Sequence, residues 1–98
     1  MTVVFHPAVQ SDFNQALDYY EAAGLNLAER FESEFRKAMA AIAANPRQFQ
    51  FYMRSRIFRR VRLPSFPYVA VYREQAFGVR VLVLKSEKRR PRFGLSRR

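Results

Sequence analysis

Basic side chains are the residues of this sequence whose type and spacing suggest chemistry. Arg60 and Arg62 lie two residues apart in an alternating segment, which places them about 7 Å apart on one face of a strand. More cations follow a later apolar segment, namely Lys85, Lys88, Arg89, Arg90 and Arg92. Such a group either binds phosphates or stabilises the negative charge that develops in phosphoryl transfer. The simpler interpretation is a solvated sheet face.

A complete catalytic site needs more than cations. Cleavage of RNA through the 2′-OH requires a proton acceptor and a proton donor beside the charged groups. Arginine does not serve as a base because its pKa exceeds about 12. A lysine accepts a proton only if its pKa is strongly lowered. The fallback catalytic candidates are therefore Arg60, Arg62, Lys85 and Arg89, and the candidate target-binding residues are Arg60, Arg62, Lys88, Arg89, Arg90 and Arg92.

The residues predict neither a metal site nor a cofactor. His6 is the only histidine and has no ligand-type neighbours, so we interpret it as a residue at a helix N-terminus. Cysteine is absent, which excludes a disulfide framework, a thiolate zinc site and a cysteine nucleophile. The three glycines are not clustered, so no phosphate-binding loop is present. We expect Asp12, Asp18 and Glu21 to be surface charges on a solvated helix face.

The positive charge is concentrated in the second half of the chain. The 98 residues carry a net charge of +10, and 15 of the 18 cations are arginine. Residues 1–49 hold four basic and six acidic residues, whereas residues 50–98 hold 14 basic and two acidic residues. The second half should therefore meet an anionic partner, either nucleic acid or an acidic protein surface.

The sequence predicts two helices before this basic segment. A short strand over Thr2–His6 precedes an amphipathic helix that starts at Pro7 and stops at Gly24. A second helix runs from about Asn26 to the Asn45–Pro46 pair. Its apolar positions recur in steps of four and three residues, at Leu27, Phe31, Phe35, Ala38 and Ile42. The short connection predicts an antiparallel helical hairpin.

Three strands follow the helices, at Ile57–Leu63, Tyr68–Arg73 and Val79–Lys85. The last is apolar on both faces, which predicts a central position. We therefore expect a single α+β domain over residues 1–98 with the order β-α-α-β-β-β. The helices should pack on one face of an antiparallel three-stranded meander that the N-terminal strand extends, and the arginines should occupy the other face. Phe58, Phe66, Tyr68 and Phe93 could stack on bases but are more simply core or turn residues.

The chain resembles the RelE/ParE superfamily of bacterial toxins. The resemblance rests on the element order, the length and charge, and on Phe5-His6-Pro7-Ala8, Tyr19-Tyr20-Glu21, Phe66-Pro67-Tyr68, Tyr72 and Arg89-Arg90-Pro91. It implies the toxin of a type II toxin–antitoxin, or plasmid-stabilisation, module. It also implies a cognate antitoxin, for which the charge predicts an acidic character, and a toxin–antitoxin hetero-oligomer.

The superfamily has two kinds of target. RelE-like members cut messenger RNA on the ribosome, and ParE-like members inhibit DNA gyrase by binding. Arg60, Arg62 and Arg89 match basic nuclease positions of the family. Other nuclease positions are occupied by Val69, Ser86 and Leu95, with Phe93 as the nearest ring, and none of these supplies the expected group.

Three functions are therefore open. The sequence favours a ParE-like gyrase inhibitor without chemistry of its own. The alternatives are a RelE-like messenger RNA endoribonuclease and a non-toxic basic nucleic-acid-binding module. We expect a cytoplasmic protein with no membrane span, since no apolar run approaches the roughly 18 residues a bilayer requires and the N-terminus lacks the features of a signal peptide.

Overall fold

A helical hairpin covers one face of a four-stranded sheet. The computed structural model describes all 98 residues. Its elements are β1 (Thr2–Phe5), α1 (Ala8–Ala23), α2 (Leu25–Ala44), a short 3-10 turn (Pro46–Gln48), β2 (Phe58–Arg62), β3 (Tyr68–Gln75) and β4 (Gly78–Ser86). The predicted fold class and element order are confirmed.

The sheet has the order β1-β4-β3-β2. The last three strands form the predicted antiparallel meander, and β1 extends it by pairing in parallel with β4. The apolar β4 therefore has a strand on each side, as its composition predicts. Because β3 lies between β2 and β4, the cations of β2 and β4 are not on neighbouring strands.

The strand ends differ slightly from the prediction. β3 and β4 extend to Gln75 and Gly78, so the predicted loop over residues 74–78 shrinks to Ala76 and Phe77. Gly78 makes this extension possible, since a Cβ there would lie 2.2 Å from the carbonyl oxygen of Thr2 on β1. β1 ends one residue earlier than predicted, although the His6 N–H still donates to Val81 at 2.8 Å.

The core lies between the hairpin and the sheet. Val9 and Ala16 of α1 and Phe31 and Ile42 of α2 are buried there, as the helical periodicity predicts. Leu27 is wrong as a predicted core residue, because it lies in the first turn of α2 and is 40% exposed. Packed rings join the helices to the β2–β3 turn, at Phe13, Tyr20, Phe31, Phe66 and Tyr68.

The face of the sheet opposite the helices is covered in part. Val69, Val71 and Val83 form a small apolar cluster there, against which Tyr52, Phe58 and Leu95 pack. Leu95 belongs to the C-terminal segment, residues 87–98, which folds back over the sheet. Gly94 lies against Val83 with a φ of +82°, and a Cβ at this position would lie 2.6 Å from the valine Cβ. The open face is therefore not simply a solvated array of arginines.

Candidate target-binding surface

Arg60 and Arg62 point away from the helices, as their spacing predicts. Val61 between them is buried in the main core. Arg62 donates to Glu87 at 2.6 Å, which links the end of β2 across β3 to the residue after β4. Arg60 forms no ion pair. Arg59 lies on the opposite face, because side chains alternate along a strand, and it donates to the Phe49 carbonyl at 2.6 Å.

Lys85 is not part of an exposed basic surface. The residue is 3% exposed, and its Nζ donates to the carbonyl oxygens of Arg90, Pro91 and Phe93 at 3.1, 2.6 and 3.1 Å. Burial lowers the pKa of Lys85. The three carbonyl acceptors nevertheless occupy all the N–H groups of the ammonium, so none is free to meet a substrate. The side chain therefore anchors the C-terminal segment and is not displayed to solvent.

Asp12 is also not the surface charge that its helical position suggests. Its carboxylate accepts two bonds from Arg97, at 2.6 and 3.2 Å, and one from the Leu84 N–H at 3.1 Å. Arg97 donates further to the Leu82 carbonyl at 3.1 Å. The two side chains are only 11% and 18% exposed. This pair fastens the C-terminal segment to both α1 and β4.

The cations after β4 remain accessible. Lys88, Arg89, Arg90 and Arg92 are all exposed and form no ion pairs. The Arg89 guanidinium lies 4.7 Å from the centre of the Phe93 ring, a cation–π contact that orients it. The predicted target-binding residues thus separate into an accessible group after β4, an unpaired Arg60 and an Arg62 bound to Glu87.

A polar cleft of about 400 Å³ lies between α1 and the end of β4. Arg89 and Ser86 line it together with two phenols. One is Tyr68, named above as a base-stacking candidate, and the other is Tyr19, to which the sequence assigns no binding role. Desolvation raises the pKa of Tyr68, and Arg89 opposes that shift. Tyr19 is 68% exposed, and the available sequence signal is an aromatic residue outside the apolar face of α1.

The other residues that the resemblance matches to nuclease positions are Val69, Ser86 and Leu95. Val69 is buried in the small apolar cluster, and Leu95 packs against that cluster. Ser86 Oγ accepts from the Lys88 N–H at 3.2 Å. Phe66, offered as a base-stacking candidate, is a core residue at 4% exposure.

Two further arginines stand directly opposite each other on β3 and β4. Arg73 and Arg80 are register partners, and the Nε atoms of both are buried without a hydrogen-bond partner. Arg80 donates through Nη2 to the Arg98 carbonyl at 2.9 Å. Like charges paired across strands are unfavourable. They extend the positive character of this sheet face beyond the residues predicted from the sequence.

His6 has the structural role predicted for it. Its Nδ1 accepts from the Ala8 N–H at 3.0 Å, which caps the start of α1. No group of three or more His, Cys, Asp or Glu side chains is arranged to hold a metal ion. No helix combines the length and apolar character that a membrane crossing requires.

The helical hairpin, the four-stranded sheet and the basic surface define a small α+β domain of the kind implied by the toxin resemblance. A family model described as the ParE toxin of the type II toxin–antitoxin system, parDE, matches residues 3–91. The chain therefore belongs to the ParE toxin family, within the RelE/ParE superfamily, whose members pair with a cognate antitoxin. No curated protein sequence matches the chain.

Proposed function

We propose that this toxin inhibits DNA gyrase by binding it and that it carries out no chemistry of its own. The observation that supports this most is the state of Lys85, whose ammonium is buried and held by three carbonyls. A general base needs a free lone pair within reach of substrate. The accessible cations that remain, such as Arg60 and Arg89, stabilise charge and bind surfaces but do not exchange protons near neutral pH.

The test is induced expression in a bacterial host without the antitoxin, with growth, DNA-damage response and messenger RNA integrity scored together. Gyrase inhibition predicts filamented cells, an SOS response and intact messages. Rapid loss of messages with arrested translation contradicts the proposal and supports the RelE-like endoribonuclease. Unaffected growth contradicts it in favour of a basic nucleic-acid-binding module.

Single substitutions separate binding from catalysis. Arg60→Ala and Arg89→Ala remove one accessible cation each, so a binding surface loses affinity by modest factors. A nuclease that used either group would lose rate by orders of magnitude. Lys37→Ala on the exposed side of α2 is the matched control, since it removes a solvent-exposed charge from the other half of the chain.

The proposed antitoxin is an acidic polypeptide that forms a hetero-oligomer with the toxin in the cytoplasm. Both acidic residues of the second half are already ion-paired, Glu74 with Arg47 and Glu87 with Arg62. The accessible arginines therefore have no carboxylate partner within the chain. Carboxylates of the antitoxin would pair with these arginines and neutralise their charge. Co-purification with the acidic protein encoded beside the toxin supports this partner, and absence of binding contradicts it.

A further inference from the structure

The chain between the 3-10 turn and β2 forms a hairpin tip at residues 51–57. Phe51 bridges to Arg59, and the Tyr52 N–H donates to the Phe58 carbonyl at 2.7 Å. Ser55 Oγ accepts from two backbone N–H groups, of Ile57 at 2.8 Å and of Phe58 at 3.0 Å. The tip is thus bonded to the start of β2 at several points.

The turn at its end has an unfavourable backbone for the residues it contains. The Ser55 N–H donates to the Tyr52 carbonyl at 2.9 Å, and the two residues between them, Met53 and Arg54, both have φ of +56°. Positive φ at both central positions is the pattern of a type I′ turn, where Asn-Gly is strongly preferred. This backbone conformation is sterically strained for Met and Arg, because each carries a Cβ atom. Backbone strain of this kind clusters at functional sites.

The side chains of the hairpin tip are displayed to solvent. Phe51, Met53 and Ile57 are 39%, 41% and 52% exposed, and Arg54 and Arg56 are exposed between them. Tyr52 points inward instead and packs on the small apolar cluster of the sheet. The tip therefore presents three apolar side chains and two unpaired guanidiniums on an anchored support.

The composition favours a protein partner over nucleic acid. Aromatic residues, Met and Arg are enriched at the centres of protein interfaces. Ile57 and Met53 gain nothing from a phosphate backbone, but both bury apolar area in a protein pocket. The two arginines then require carboxylates beside that pocket.

We propose that the 51–57 hairpin tip is the element through which the toxin docks on its protein target, in an apolar pocket bordered by carboxylates. This inference rests on the proposed function, since it assumes a target that is bound rather than cleaved. The strained turn is retained because Met53 and Arg54 contact the target, and a better turn sequence lacks both side chains.

The experiment exchanges the turn for its preferred sequence. The double variant Met53→Asn, Arg54→Gly is expected to unfold at a higher temperature than the wild type, because the strain is relieved. Its affinity for purified DNA gyrase is expected to fall at least about tenfold, as for the loss of central interface residues. The pair Met53→Ala, Ile57→Ala and the pair Arg54→Ala, Arg56→Ala then separate the apolar and charged contributions. Leu25→Ala, Arg30→Ala is the control, because it removes an exposed apolar residue and an exposed cation from the other end of the molecule.

The outcomes are distinguishable. If the wild type and the turn variant bind gyrase equally well, the role of the tip is overturned and the proposed function stands. Wild type that does not bind gyrase overturns the proposed function and the tip's role with it. A variant that loses affinity for a duplex DNA oligonucleotide but not for gyrase assigns the tip to nucleic acid and also overturns the inference.

Discussion

The ion pair between Asp12 and Arg97 is expected to contribute strongly to folding. Both side chains are at most 18% exposed, the contact is bidentate, and Asp12 also accepts from the Leu84 N–H. Removing one partner leaves a poorly solvated charge, which costs about 3 kcal/mol of unfolding free energy. Asp12→Asn and Arg97→Met are therefore each expected to destabilise the fold by about that amount.

A double-mutant cycle measured by urea denaturation at neutral pH isolates the pair. The double variant removes both charges together, so it is expected to lose less than the sum of the single variants, with a coupling free energy of about 2 kcal/mol. The exposed i,i+4 pair Glu32–Arg36, 2.9 Å apart, is the matched comparison and should couple by only about 0.3–0.5 kcal/mol. Equal coupling in the two cycles refutes the conclusion that the C-terminal segment is fastened through Asp12.

Three further perturbations test the packing. Gly78→Ala places a methyl group 2.2 Å from the β1 backbone and is expected to lower the free energy of unfolding by about 2 kcal/mol or more. The methyl group of Gly24→Ala meets nothing within 4 Å, so this control should change the free energy by less than about 0.5 kcal/mol in urea titrations. Lys85→Met leaves three carbonyls without their donor and is expected to lower the free energy of unfolding by about 3 kcal/mol. Lys37→Met, at an exposed position, should lower it by less than about 0.5 kcal/mol. Comparable losses in the two variants exclude an anchoring role for Lys85. Burial raises the pKa of the Tyr72 phenol to about 12. The stability that the protonated phenol contributes is therefore complete below the unfolded pKa of 10.0 and is lost as the pH rises toward 12. Tyr72→Phe should remove this part of the decline in urea denaturation midpoints at alkaline pH, and an unchanged decline contradicts the expectation.

Much of the fold follows from local sequence patterns. The helical periodicity and the alternation around Val61 predict which faces are buried, and they place Arg60 and Arg62 on the side opposite Arg59. The apolar composition of β4 predicts its interior position in the sheet. These features depend on interactions within one element or between neighbours, which a sequence displays directly.

The roles of Asp12 and Lys85 could not be read in the same way. Lys85 is buried and Asp12 is largely covered because residues 87–98 fold back over the sheet, and that segment is rich in charge and has no periodicity. The hairpin tip was missed for a related reason. Met53 and Arg54 are not turn-forming residues, so only the backbone geometry reveals the turn.

The proposed inhibition of gyrase by binding can be measured directly. The most direct measurement adds purified toxin to two reconstituted reactions, supercoiling of relaxed plasmid by gyrase and translation of a defined message on ribosomes, with the message then mapped for cleavage. If the toxin acts by binding, gyrase activity is expected to fall as toxin approaches the concentration of enzyme while the message stays whole. Cleaved message with undiminished supercoiling would contradict it.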